Sequence, residues 1–112
     1  YTPEIKEIHH VKKLDAPSGT AIALAESIKI NHENFEGWCM EDSSKLNCIP
    51  VRSVREGAVP GTHYVTWNSA IDSITLKHEA RSRKGFALGA VLAAEYIYTR
   101  QGLFTMKDVL GF

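Results

Sequence analysis

Two runs of strict alternation lie on either side of a short turn past the middle of the chain. From Thr62 to Ser69, Tyr64, Thr66 and Asn68 alternate with Val65 and Trp67; from Ser73 to His78, Ile74 and Leu76 alternate with Thr75 and Lys77. A side-chain period of two belongs to extended chain with one face toward a core, and two such runs joined through Asn68 to Asp72 make an antiparallel hairpin. A hairpin alone is marginal in water, so further elements must cover its apolar face. Glu4 to His10 and Val51 to Arg55 read as two more strands, and Ser18 to Lys29 reads as a helix with Ser18 as its N-cap. These elements predict an α+β fold, an open mixed β-sheet of about four or more strands with helices on one face. Residues 31 to 48 carry Asn31, Asn34, Gly37, Asp42, Ser43 and Ser44 and read as a loop or frayed helix end, in which Trp38 finds no place.

A second helix is predicted from about Lys84 to Arg100. Between Phe86 and Tyr98 its only charge is Glu95, so it is apolar around most of its circumference and wants burial on more than one side. With 112 residues, 44% of them hydrophobic, the chain holds one domain with a modest core. That leaves part of this helix for a partner outside the chain. The alternative is a helix at the centre of a compact core, for which Ala87, Ala90, Ala93 and Ala94 leave room.

Charge balances at 13 basic against 13 acidic residues, which removes any overall field toward nucleic acid or an anionic membrane; any anion site is local. Cys39 and Cys48 lack zinc or redox-dithiol spacing and make no disulfide framework, so no metal site and a reducing, cytoplasmic setting are expected. No apolar run approaches the roughly 20 residues of a membrane span. The chain starts at Tyr1 without an initiator methionine and reads as an excised piece of something longer.

The run from His9 to Ala21 carries the chemistry. Two imidazoles, His9 and His10, titrate near working pH and can donate and recover a proton. Lys13 adds fixed positive charge. Ser18 caps the helix, and the backbone N–H groups of Gly19, Thr20 and Ala21 beyond it form an anion-ready terminus. Singly, each piece has an ordinary explanation as a cap, a core histidine or a solvated lysine. Together they point to a dianionic small molecule that receives a proton. His63 and His78, on strands, read as packed or hydrogen-bonded imidazoles; His32 reads as exposed.

The same run resembles dihydrodipicolinate reductase in its C-terminal, substrate-binding domain. The family pattern Glu-x-His-His-x-x-Lys-x-Asp-Ala-Pro-Ser-Gly-Thr-Ala is met by Glu7, His9, His10, Lys13 and Asp15 to Ala21. Arg55, Gly57, Gly61 and His63 fit a second block, His78, Ala80, Arg83, Phe86, Ala87 and Gly89 a third, and Gly102 to Leu110 looks like the family's last turn; only residues 30 to 48 are unmatched. The resemblance implies reduction, by NADH or NADPH, of the cyclic imine formed from 4-hydroxy-tetrahydrodipicolinate in lysine and diaminopimelate biosynthesis. It implies His9 as general acid or base, Lys13 as proton donor near the ring nitrogen, and His10, Ser18, Gly19 and Thr20 as holders of the substrate carboxylates. Asp15 is taken as structural, and Arg83 and Phe86 stay outside the core site.

The resemblance also implies that residues 1 to 112 are the substrate-binding and oligomerisation domain, with 83 to 112 returning toward an N-terminal nucleotide-binding domain. The cofactor site belongs to that domain, and no Gly-x-Gly-x-x-Gly occurs here. In the family four substrate domains join their sheets into a homotetramer; Tyr64, Thr66, Asn68, Thr75 and Lys77 would form the meeting face. Two other readings stay open: a non-catalytic module that captures small dicarboxylates, and a pure oligomerisation domain, which leaves the motif unexplained.

Overall fold

Strand β1 (Thr2–His9) occupies the middle of the sheet, with a hydrogen-bonded neighbour on each edge. In this computed structural model, which describes residues 1–112, its alternation buries Pro3, Ile5, Glu7 and His9 on one face and exposes Thr2, Glu4 and Lys6 on the other. Strand β3 (Cys48–Arg55) runs parallel to β1, setting Glu7 opposite Ser53 and His9 opposite Arg55. Strand β4 (Thr62–Asn68) runs antiparallel along the other edge, with His63 opposite Glu7. Strand β2 (Gly37–Met40) pairs in parallel with β3, and β5 (Ser73–Glu79) pairs antiparallel with β4, giving the order β2-β3-β1-β4-β5. This five-stranded mixed sheet is the α+β architecture expected from the sequence.

Helix α1 (Gly19–Ile30) packs on the inward face through Ala21, Ala25 and Ile28, one stripe at i, i+4 and i+7. The two alanines let its backbone approach Ile5, Ile49, Val51 and Val65, while Leu24, Phe35, Trp38 and Trp67 pack around the rim. Ile5, Ile49 and Val51 are essentially sealed from water, and each such side chain contributes about 1.5–3 kcal/mol of apolar transfer. The helix begins where Ser18 Oγ accepts the Ala21 N–H at 3.2 Å. It ends at Asn31, whose side-chain amide donates to Ser27 O at 2.8 Å.

Four expectations need correction. Residues 31 to 48 are not all loop, because Gly37–Met40 forms β2 and seats Trp38 half-buried against the core. The parallel β2–β3 register also brings the Cα atoms of Cys39 and Cys48 to 5.7 Å, and the two form a disulfide that their spacing alone did not announce. Finally, His32 is partly buried, its ring 4.8 Å from Phe35 and 6.1 Å from Trp67, whereas His78 is exposed on β5.

Contacts divide the chain into two units, Tyr1–Arg81 and Ser82–Phe112. The second contains α2 (Lys84–Ile97) and α3 (Met106–Leu110). The Tyr96 ring meets Phe104 edge-on at 5.5 Å and carries the Arg100 guanidinium at 3.9 Å, and Thr105 with Asp108 forms a capping box at the start of α3. Helix α2 buries none of its residues, so it is not the centre of a core; Phe86, Leu88 and Val91 are all more than half exposed. No helix is long and apolar enough to cross a membrane.

Candidate functional site

The site is organised around a buried carboxylate. Glu7 occupies an inward position of β1 and is 0% exposed, so its charge requires partners. Arg55, at the end of β3, supplies two: Nη1 donates to Oε2 at 3.0 Å and Nη2 to Oε1 at 2.9 Å, a fork matched to a carboxylate. His9 Nδ1 donates to Oε2, and the Ser18 backbone N–H donates to Oε1 at 3.2 Å. Burial alone would raise the Glu7 carboxyl; the hydrogen bonds from Arg55 and His9, with the Arg55 charge, more than offset it and hold the group below the ordinary carboxylate value.

Arg55 also shapes the loop between β1 and α1. Its Nη2 donates to Asp15 O at 2.6 Å and its Nε to Lys13 O at 3.3 Å. Within that loop the Lys13 N–H donates to His10 O at 3.1 Å, and the Ala16–Pro17 peptide is cis. One guanidinium therefore ties the carboxylate beneath His9 to the backbone that carries Lys13.

With Nδ1–H committed to Glu7, the His9 ring presents Nε2. Gly61, at φ 154°, lies against that edge: a Cβ there would sit 3.0 Å from His9 Nε2, so any side chain would be strained at this φ and would push the ring aside. The His63 ring meets His9 edge-on at 5.1 Å, and its Nε2 lies 3.0 Å from Ser18 Oγ. Burial pushes the His63 imidazole below its ordinary value and the nearby His9 reinforces this, which keeps the ring neutral.

The structure thus brings His9 and Ser18 together through Glu7, and adds His63. Gly19 and Thr20 are exposed in the first turn of α1, where helix geometry leaves their N–H groups without partners in the helix. Lys13 is placed by the same loop, but its ammonium rests 2.8 Å from the Asp15 carboxylate, whose hydrogen bond holds Asp15 below its usual range. His10 is half-buried and its side chain makes no hydrogen bond within the chain. Glu7, Arg55 and His63 were not among the expected site residues. Parity could have found the first, because Glu7 shares the inward face of Ile5 and His9; Arg55 and His63 join only when β3 and β4 flank β1.

Chemically, the arrangement offers unpaired N–H donors at a helix start, a lysine ammonium paired with Asp15 and an imidazole whose tautomer is fixed from behind. That set can hold an anion and move a proton. The sequence matches the family described as dihydrodipicolinate reductase, C-terminus, over residues 1–110. It is 53% identical over 111 residues to a 4-hydroxy-tetrahydrodipicolinate reductase of Christiangramia forsetii, covering 99% of this chain and 46% of that protein. It is 42% identical over 117 residues to the protein of the same name in Clostridium botulinum, covering 99% and 46%. The chain therefore spans about half the length of the curated relatives it matches. Among solved structures, it is similar to a dipicolinate-bound dihydrodipicolinate reductase from Paenisporosarcina sp. TG-14, with a TM-score of 0.64 and 28% identity over 86% of this chain and 39% of that one.

Proposed function

This chain belongs to the dihydrodipicolinate reductase C-terminal family, and from that premise we propose that it is the substrate-binding and catalytic half of a 4-hydroxy-tetrahydrodipicolinate reductase. The observation that carries the reading is the Arg55–Glu7–His9 chain of hydrogen bonds set beside the open start of α1. The N–H groups of Gly19 and Thr20, with Ser18 and His10, hold the substrate carboxylates, the helix terminus supplying partial positive charge. Lys13 leaves Asp15 for the ring nitrogen and delivers a proton there as charge builds on the reduced C=N bond. His9, its Nδ1–H held by Glu7, accepts or returns a proton at Nε2.

The hydride comes from NADH or NADPH. The present residues do not fit a dinucleotide, because the β1–α1 connection from His10 to Ser18 contains Pro17 and no glycine to cradle a pyrophosphate. We assign that cofactor to a nucleotide domain in the remaining length of the enzyme, with residues 83 to 112 returning toward it. The bare apolar flank of α2 supports this assignment. A homotetramer through the sheet is the proposed assembly. Opposite α1 that sheet has an open groove of about 630 Å³ lined by Lys6, Arg52, Tyr64, Thr66 and Thr75, and sedimentation of the chain tests it. A cytoplasmic setting accompanies this chemistry, and there the Cys39–Cys48 pair would exchange with the thiol pool.

Calorimetric titration of pyridine-2,6-dicarboxylate, a planar analogue of the ring, tests the central reading. Saturable binding that weakens in Lys13→Ala and His9→Ala supports it. A folded chain that fails to bind, even after a nucleotide domain is supplied, would sink it.

A further inference from the structure

Ser18 Oγ has two lone pairs and one hydrogen to distribute. One lone pair accepts the Ala21 N–H at 3.2 Å, as the helix cap. The other contact, His63 Nε2 at 3.0 Å, either donates to Ser18 or accepts from it, depending on which ring nitrogen carries the hydrogen. The far side of the His63 ring decides. His63 is 7% exposed, and its Nδ1 is buried without any hydrogen-bond partner. A hydrogen on Nδ1 would be a buried donor facing nothing, whereas an unused acceptor lone pair is the milder defect. With a carboxylate bound at the start of α1 the hydrogen belongs on Nε2, where it occupies the second lone pair of Ser18. Ser18 is itself only 2% exposed and lies one residue before the exposed N–H groups of Gly19 and Thr20. Its hydroxyl hydrogen then has no acceptor in the chain, so the ligand supplies the acceptor that leaves no buried donor unpaired.

We propose that His63 is a positioning residue: its Nε2–H donates to Ser18 Oγ, and this frees the Ser18 hydroxyl hydrogen to donate to a carboxylate of the bound ligand. The proposal rests on the reading that the α1 terminus receives a carboxylate. It adds a residue that does not touch the ligand and sets the direction of one that does. Asparagine or glutamine at position 63 keeps an N–H donor and preserves the effect in part; an apolar residue lets the Ser18 hydroxyl rotate.

Two measurements on the full chain test it. Nitrogen-15 imidazole spectra of the wild type saturated with pyridine-2,6-dicarboxylate assign the His63 tautomer, and the Nε2–H form is expected. Calorimetry with pyridine-2,6-dicarboxylate then compares wild type, His63→Leu, His63→Gln, Ser18→Ala and the Ser18→Ala/His63→Leu pair. His63→Leu is expected to weaken binding about tenfold, the size of one hydrogen bond to a charged group, and His63→Gln by less than about threefold. In the Ser18→Ala background His63→Leu adds nothing, which a merely structural role would not produce. An Nδ1–H tautomer in the complex overturns the proposal, as does an equal loss from His63→Leu with and without Ser18. If His63→Leu does not fold, the tautomer and the His63→Gln affinity still decide. A wild-type chain that binds no dicarboxylate refutes the functional reading itself, a different outcome from binding with the wrong tautomer.

Discussion

Replacing Glu7 by glutamine keeps the volume of the buried group and removes its charge. In the wild type the two carboxylate oxygens accept from Arg55 twice, from His9 and from the Ser18 backbone. Glutamine has one acceptor oxygen. Left at the Oε1 position, it retains Arg55 Nη2 and Ser18 N–H, and its NH2 group then faces Arg55 Nη1 and His9 Nδ1, two donors. Two charge-assisted hydrogen bonds are lost and Arg55 keeps an unmatched charge, softened because its side chain is 20% exposed. The expected loss is about 2–4 kcal/mol, below the value for a fully sealed broken pair. This corresponds to a fall in melting temperature of roughly 10–20 °C for a unit of this size. Urea and thermal unfolding followed by tryptophan fluorescence measure it, since Trp38 and Trp67 both border the core. The substitution has a second signature: the glutamine NH2 turns His9 Nδ1 into an acceptor and moves the ring hydrogen to Nε2. A loss under about 0.5 kcal/mol, the level of an ordinary surface change, together with an unchanged His9 tautomer, would refute the reasoning.

Acid should unfold the chain in two stages. His63 and Glu7 both lie below their ordinary values of 6.5 and 4.5 when folded, so the unfolded chain binds more protons. The contribution of His63 is complete above about pH 6.5 and is lost as pH falls through its folded value; that of Glu7 is complete above about pH 4.5 and is lost below it. Urea midpoints across pH read both stages, and a flat profile from neutral down to pH 5 contradicts the first. Reducing Cys39–Cys48, which closes a separation of nine residues, should lower stability by about 2–3 kcal/mol, measured with a phosphine reductant against a Cys39→Ser/Cys48→Ser control. An unchanged midpoint means the thiols are not paired. Gly61→Ala should destabilise by about 1–3 kcal/mol through its positive φ and displace the His9 ring; unaltered His9 ring resonances would contradict it.

Alternation and capping made most elements legible. The strand ending at His9, the helix after Ser18 and the hairpin from Thr62 onward appear with boundaries shifted by a residue or two, because each carries its own period or cap over seven residues or more. Strand β2 escaped because it is four residues long and lies among turn formers; only its parallel pairing with β3 makes it a strand. The Cys39–Cys48 bond and the burial of His32 follow from that pairing and from Trp67, neither of which is local in sequence. In the site, the motif named the loop and the helix start, but the anchoring of His9 depends on residues 48 positions apart, Glu7 and Arg55. Glu7 keeps the inward parity of its strand, but its pairing with Arg55 leaves no periodic trace.

The reach of Arg55 across that interval also orders events during synthesis. Every residue expected to touch the ligand, from His9 to Thr20, leaves the ribosome well before Arg55 does. A nascent chain that has reached only helix α1 therefore possesses the whole motif and no site, since nothing yet holds the carbonyl groups of Lys13 and Asp15 or balances Glu7. Competence arrives with the docking of β3, a long-range closure whose entropy must be overcome first. Under the proposed function, dicarboxylate binding would therefore be a late reporter of folding, appearing with the completed sheet rather than with helix α1.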